Sequence, residues 1–306
     1  MIVKHDVVVV GSGAAGLAAG IYTSRMGLKT LILGEILGGQ ASEAVTIENY
    51  PGVEAITGIE LAETMMRQAT NFGAVLRMPE RVTSLHLDGE LRRVESVNGE
   101  YEARAVILAT GATHKKLNVT GEEEFRGKGV SYCATCDGPF FRNKPVAVVG
   151  GGNAAVTEAL YLSNITSKVY LIHRRDKLRA DKTYASKIMK SGVNFLWNTE
   201  VKEILGDKLV NGLSLVNNRT LQDFIIDVRG IFISIGHKPE SALAKKAGIA
   251  LDENDLILVN GKQETNISGV FAAGDVCPSV RQVSSAVGQG VTAAINSYLY
   301  VVGGWY

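Results

Sequence analysis

Cysteine is scarce: 306 residues hold three. So small and odd a number cannot build a disulfide framework, and it suits a reducing compartment better than secretion. Proline is scarce as well, with 6 residues against 34 glycines and a hydrophobic content of 46%. That balance excludes a disordered chain and fits an α/β protein with many tight strand-to-helix turns. Excess charge is missing too. A net charge of +1 provides no general field for nucleic acid or an anionic membrane, so any basic site has to be local. Long apolar runs are also lacking. The opening "MIVKHDVVVVG" carries Lys4 and Asp6 beside a short apolar run, unlike a signal peptide. Residues 7 to 24 are uncharged but broken by glycines at structured spacings, and residues 282 to 306 are diluted by Gln, Ser, Thr, Asn and Gly. Neither reaches the apolar content of a membrane span. The expectation is a cytoplasmic protein whose last uncharged stretch forms a buried helix and a short tail, "GGWY", without an assigned role.

The length allows one large or two moderate domains. "DVVVVGSGAAGLAAGIYTSRMG" reads as a buried strand, a glycine turn and a helix closed at Gly27, with "KTLILG" as the next strand. "TGIELAETMMRQATNFG" opens with Thr57 and Glu60 spaced as a capping box and ends at Gly73. After "RAVILATG" the plan restarts: "PVAVVGGGNAAVTEALYLSN" repeats strand, turn and helix, followed by "KVYLIHRRD". "GIFISIG" then echoes "AVILATG". This internal repeat predicts an α/β protein with two Rossmann-like, three-layer dinucleotide-binding domains, the second inserted into the first. Polar connectors at "THKKLNVTGEEE" and "GHKPESALAKK" set the expected boundaries: 1–114 with 243–306 for one domain, 115–242 for the other.

Gly11, Gly13 and Gly16 form G-x-G-x-x-G between strand and helix; Gly150, Gly152 and Ala155 form the G-x-G-x-x-A version. In such turns the first glycine permits the bend and the second lets the backbone approach a pyrophosphate. The third packs helix on strand, while the helix N-terminus stabilises the anion. In the second copy the ribose position reads His173-Arg174-Arg175, with Arg179 one turn on and no acid before Asp176. Arginine forks match phosphate oxygens, so this copy reads as an NADPH site; the competing reading is a solvated charge cluster. In the first copy the matching position is Gly34, beside Glu35.

Cys133-x-x-Cys136 lies between the two turns. Tetrahedral zinc needs four ligands, and no second CxxC or CxxH exists. A purely structural bond would close a very short loop and gain little. Redox cycling is the use left for the pair. A nicotinamide delivers hydride, a disulfide accepts electrons at sulfur, and a flavin mediates between them, which gives the first turn FAD as its ligand. Asp137 either protonates the released thiolate or shapes the turn before Gly138. The first role needs burial to raise its pKa from about 3.9.

"GSGAAGLAAGIY", "GGQ", "ENYPG", "CATCDG", "GGGNAAVTEALYLSN", "HRRDKLR", "AAGDV" and "RQVSSAVGQG" together resemble the low-molecular-weight thioredoxin reductases of bacteria and archaea, in order and over nearly the whole chain. The resemblance implies a homodimer in which electrons pass from NADPH to FAD to the Cys133–Cys136 disulfide and on to thioredoxin or a thioredoxin-like protein. It also implies that the domains rotate between the half-reactions. By motif match, FAD would contact Gly11, Ser12, Gly13, Ala14, Ala15, Gly39, Gln40, Asn49, Val82, Ala109, Thr110, Gly111, Gly274, Asp275, Arg281, Gln282 and Val283. NADPH would contact Gly152, Asn153, Ala154, His173, Arg174, Arg175, Arg179, Ile235 and Gly236. Cys133, Cys136 and Asp137 would be catalytic. Lys128, Pro139 and Phe140 would dock the partner, with core packing as the other reading for Phe140 and Phe141. The partner's potential lies near about −270 mV, and each 30 mV of mismatch costs roughly 1.4 kcal/mol. Relatives fed by ferredoxin or acting as dithiol oxidases would not need the arginines, and ferredoxin–NADP reductases lack the CxxC. A flavin-loaded redox sensor would not sustain NADPH consumption. No metal, nucleic acid or membrane is expected. Cys277 reads as a small buried residue.

Overall fold

The computed structural model describes residues 3–44 and 46–303; Gly304, Trp305 and Tyr306 of the tail lie outside them. In chain order the elements begin with β1 (Val3–Val10), α1 (Ala14–Arg25), β2 (Thr30–Leu33), α2 (Gly58–Asn71), β3 (Val75–Arg77), β4 (Val82–His86), β5 (Arg92–Ser96) and β6 (Glu100–Leu108). Next come β7 (Ala112–His114), β8 (Val130–Ser131), α3 (Ala134–Asp137), β9 (Pro145–Val149), α4 (Asn153–Ser163), β10 (Lys168–His173), α5 (Lys182–Met189) and β11 (Asn194–Trp197). The remainder are β12 (Thr199–Gly206), β13 (Val210–Asn217), β14 (Asp223–Asp227), β15 (Gly230–Ile233), β16 (His237–Pro239), α6 (Ala242–Lys246), β17 (Val270–Ala272) and α7 (Val283–Val302). The chain divides into two compact units, Met1–Thr113 with Lys238–Tyr306, and His114–His237. Among the described residues no helix is long and apolar enough to cross a membrane.

The first unit is built on a seven-stranded sheet, β3-β2-β1-β6-β5-β4, with β17 also on β6. Besides β1, β6 serves two partners: its first residues pair antiparallel with β5, while Val106–Leu108 pair parallel with Val270–Ala272 of β17. The returning chain thereby completes this sheet. Val7, Val8 and Val9 are fully buried, as expected of a β-branched strand covered on both faces. Small residues bring helices together on one side: a Cβ at Gly290 of α7 would lie 2.2 Å from the Ala15 carbonyl of α1. α2 starts with the expected capping box, Thr57 N–H donating to Glu60 Oε2 at 3.1 Å and Glu60 N–H to Thr57 Oγ1 at 3.3 Å.

The second unit has a parallel sheet, β11-β10-β9-β15-β8. On one face Ala134 of α3 and Val156, Ala159 and Leu162 of α4 pack with Phe232. On the other, Val201, Ile204, Leu213 and Leu215 of the antiparallel sheet β12-β13-β14 pack with Ala147 and Ile231. That antiparallel sheet is absent from the sequence reading.

Candidate functional site

In the first unit Gly11 follows β1 with φ +117°, and a Cβ there would lie 2.1 Å from the Ala109 carbonyl; only glycine makes this turn. Gly16 packs on it, a Cβ meeting Gly11 O at 1.9 Å. Gly13, the N-cap of α1, faces open space, its nearest obstacle 3.8 Å away at Gly38 O. The amides of Ala14 and Ala15 in the first turn lack intrahelical acceptors and stand ready for an anion. Gly34 has a cause of its own: a Cβ there would fall 2.0 Å from Ser12 Oγ. Ser12 Oγ donates to Ile36 O at 2.8 Å, so its side chain fills the place where an acid would begin.

The other FAD candidates gather at this end of the sheet. Gly38 N–H donates to Ser12 O at 2.8 Å, which brings Gly39 and Gln40 onto the glycine turn. Gln40 Nε2 donates to Ala112 O. Ala109 N–H bonds Val10 O at 2.7 Å, Thr110 Oγ1 donates to Glu240 O at 2.7 Å, and Gly111 has φ +72°. Val82 opens β4 two residues after Glu80, whose N–H bonds Gly34 O at 2.7 Å. Asn49 Nδ2 donates to Gln282 Oε1 at 3.1 Å, tying "ENYPG" to the start of α7, where Arg281, Gln282 and Val283 follow one another. Gly274 N–H is held by Gln289 Oε1 at 2.8 Å. Beside it, burial pushes the Asp275 carboxyl up, opposed by Arg281 and a hydrogen bond from Ser279.

In the second unit the glycine turn and the arginine loop are laced together. Arg179 and Ala180 N–H donate to Gly151 O at 2.7 and 3.1 Å, and Asn153 and Asp181 exchange bonds of 2.7 and 2.8 Å. Gly151 is glycine because His173 sits against it, 2.3 Å from where a Cβ would be; around Gly152 nothing lies within 4 Å. Ala154 is exposed in the first turn of α4. His173 is buried and its Nε2 meets Lys177 O at 3.1 Å. Burial holds its pKa below the usual histidine range, and Arg179, Arg175 and Arg174 push the same way. The three guanidinium groups therefore all act on His173. All three residues are exposed, and among the described residues none forms an ion pair. Ile235 and Gly236 follow β15, where Gly236 has φ +111° and accepts from Lys115 N–H at 3.0 Å.

Cys133 and Cys136 are joined by a disulfide at the start of α3. Cys133 Sγ accepts the Cys136 N–H at 3.2 Å, a contact that favours negative charge on that sulfur. Burial raises the Asp137 carboxyl, which is hydrogen-bonded to Ser131. Ser131 Oγ also accepts the Cys133 N–H at 3.1 Å. Phe140 and Phe141 part company: Phe140 is 46% exposed, while Phe141 packs edge-on against Phe232 at 5.4 Å. Pro139 and Lys128 are exposed, and no hydrogen bond or ion pair joins Lys128 to Pro139 or Phe140. Cys277 is buried and burial pushes its thiol up to about 12.

Two buried acids and a half-buried one escaped the sequence reading. Glu80 accepts bonds from Ser96 and Asn98. Glu122 accepts from Leu117 N, Asn118 N and the Tyr132 hydroxyl at 2.9, 2.6 and 2.7 Å. Glu158 stands between the buried Ala155 and Ala159 of α4, an acid on an apolar stripe, and that spacing was the available signal.

The geometry fits dinucleotides in both units: glycine turns with room at Gly13 and Gly152, helix N-termini behind them, and in the second unit three exposed arginines that form no ion pair among the described residues. Comparison with known proteins agrees. The pyridine nucleotide-disulphide oxidoreductase family matches residues 5–290. A thioredoxin reductase of Listeria innocua is 42% identical over 97% of this chain and 94% of its own length. That of Bacillus subtilis is 43% identical over 97% and 95%. The thioredoxin reductase structure from Streptococcus pyogenes superposes with a TM-score of 0.94 at 37% identity, covering 99% of this chain and 100% of that one. The chain belongs to the pyridine nucleotide-disulphide oxidoreductase family and, within it, to the thioredoxin reductases.

Proposed function

We propose that this chain is an NADPH-dependent, FAD-containing thioredoxin reductase that opens and re-forms the Cys133–Cys136 bond in each turnover. The observation that carries the reading is this disulfide on a unit whose glycine turn is bonded through Gly151 to the loop of Arg174, Arg175 and Arg179, which form no ion pair among the described residues. When bound, the nicotinamide supplies a hydride and the flavin converts it into electrons that a disulfide can accept. The Gly11–Ala15 turn, Gly39, Gln40, Asn49, Val82, Ala109–Gly111, Gly274, Asp275 and Arg281–Val283 would hold FAD. Gly152–Ala154, His173, Arg174, Arg175, Arg179, Ile235 and Gly236 would hold NADPH, the arginines taking its 2′-phosphate.

The chain's own chemistry then concerns sulfur and protons. Opening the disulfide breaks the S–S bond, takes in two electrons and leaves two thiolates. The Cys136 N–H stabilises charge on Cys133 Sγ. Asp137, raised by burial, holds a proton further up the pH scale than an ordinary aspartate and passes it to the site. A thiolate next attacks the partner's disulfide, forming a mixed disulfide and releasing one partner thiolate; the second cysteine then attacks the first cysteine's sulfur, re-forms Cys133–Cys136 and displaces the partner's other thiolate. Exposed Phe140 and Pro139 provide an apolar docking surface, with Lys128 as a separate basic contact. The test is reduction of a thioredoxin disulfide by NADPH. The intact protein should sustain it, and Cys133→Ser or Cys136→Ser should abolish it; turnover surviving either substitution would overturn the reading.

A further inference from the structure

The loop between β10 and α5, residues 174–181, holds three arginines, one lysine and two aspartates. Consecutive Cα atoms are only about 3.8 Å apart, so Asp176 is the acid placed by sequence to pair with Arg174 or Arg175 and quench them. Neither aspartate does so. Asp181 Oδ2 accepts from Asn153 Nδ2 at 2.7 Å, and Asp176 Oδ2 accepts from Arg219 Nη2 at 2.6 Å. Both acids are taken up by partners from outside the loop, and the three arginines form no ion pair among the described residues.

Arg219 comes from the turn between β13 and β14, and hydrogen bonds fix where that turn stands. Asn217 Oδ1 accepts the Arg219 and Thr220 N–H groups, both at 3.0 Å, and Leu221 N–H donates to Asn217 O at 2.8 Å. The turn is then fastened to the arginine loop. Asn218 Nδ2 donates to Arg174 O at 2.9 Å, Asn218 N–H to Asn198 O at 2.7 Å, and Asn198 N–H to Arg175 O at 3.2 Å. The carbonyls of Arg174 and Arg175 are held from this side, as Arg179 N–H is held by Gly151 from the other. Both side chains of the Arg219–Asp176 pair are exposed, and an exposed salt bridge contributes little to stability. Its effect falls instead on the charge balance of the loop.

We propose that Arg219 is a positioning residue that determines nucleotide specificity: by holding the Asp176 carboxylate it keeps Arg174 and Arg175 available to a 2′-phosphate. The inference rests on the reading of this loop as the NADPH site. An unheld Asp176 would pair with one of those arginines and repel the phosphate, since groups one or two residues apart lie within the Debye length of about 8 Å at physiological ionic strength. Neither effect reaches a nucleotide that lacks the 2′-phosphate. The sheet β12-β13-β14 thereby has a role beyond covering one face of its unit: its turn withdraws the acid that would otherwise quench the arginines.

The test is calorimetric titration of the flavin-loaded protein with adenosine 2′,5′-bisphosphate and, separately, with adenosine 5′-monophosphate. The parent should bind the bisphosphate more tightly. Arg219→Ala should weaken bisphosphate binding roughly threefold to fivefold, the upper range for an exposed ion pair, and leave the monophosphate unchanged. Adding Asp176→Asn to Arg219→Ala should restore the parent affinity, because the carboxylate to be held is then gone. Lys202→Ala serves as the control for net charge. It takes one positive charge from the same sheet, where Lys202 pairs with Asp223 at 2.7 Å, and should leave both affinities unchanged. A double variant as weak as Arg219→Ala would mean that Arg219 acts on the phosphate directly, and it overturns the proposal. An equal loss in Lys202→Ala, an equal loss with the two probes, or no loss in Arg219→Ala overturns it too, and all of these leave the NADPH reading intact while the parent prefers the bisphosphate. A parent without that preference overturns the NADPH reading and the inference with it.

Discussion

Removing Arg174 and Arg175 together should strip the enzyme of most of its preference for the 2′-phosphate, leaving Arg179 as the remaining contact. The magnitude follows from their surroundings. Neither is in an ion pair among the described residues, so no internal partner is orphaned by Arg→Ala, and the loss falls on the ligand alone. A hydrogen bond to a charged group contributes about 1.5–3 kcal/mol. Both side chains are exposed, which places them at the lower end, roughly tenfold each and a hundredfold together. The assay is steady-state kcat/KM with NADPH and with NADH across ionic strength. NADPH efficiency should fall roughly a hundredfold and lose much of its salt dependence, while NADH stays within about twofold of the parent, as it has no 2′-phosphate to lose. Independently of activity, the His173 pKa should rise, because both guanidinium groups lower it now. Equal losses with the two nucleotides, or an unmoved His173, would refute the reasoning.

Other expectations are shorter. Asp137→Asn should slow disulfide reduction by about 10²-fold or more while leaving flavin bleaching by NADPH near the parent rate; slowing of both steps alike would remove its proton role. Glu158→Gln should stabilise the protein increasingly as pH rises. Because the folded pKa of about 7 exceeds the ordinary 4.5, the folded state is favoured below pH 4.5 and penalised as pH climbs through 7. The penalty is about 1 kcal/mol at pH 5 and about 3 kcal/mol at pH 8, so urea unfolding should show a gain that is several-fold larger at pH 8 than at pH 5. Gly11→Ala meets both a φ of +117° and a carbonyl 2.1 Å from the new Cβ. It should cost about 2–5 kcal/mol in strain and overpacking and yield colourless protein on purification. Cys277 should resist iodoacetamide in the folded, reduced protein while Cys133 and Cys136 react, since its thiol is buried and pushed up to about 12; rapid labelling would contradict its placement.

What was legible in the sequence had local causes. Glycine turns after β-branched runs, the Thr57–Glu60 cap and the close pair of cysteines each carry their geometry within a few residues. What was not legible depends on neighbours distant in the chain. Gly34 looks like a missing ribose acid until Ser12 is seen filling its space. Phe140 and Phe141 are equivalent letters, and only Phe232 and Gly230, around ninety residues on, decide which one is covered. The sheet β12-β13-β14 escaped because residues 199–227 alternate weakly and turn at Asn217–Thr220 without glycine, Leu221 taking φ +60° instead. Glu158 was readable as an acid among buried alanines, but its raised pKa depends on how α4 is packed against the rest of its unit.

The most direct test of the central claim is anaerobic titration of the flavin-loaded protein with NADPH and, separately, with NADH. The account predicts rapid bleaching by NADPH, much weaker bleaching by NADH, and uptake of about one more two-electron equivalent than the Cys133→Ser form, the share taken by the disulfide. No bleaching by NADPH, or equal uptake with and without Cys133, would contradict it.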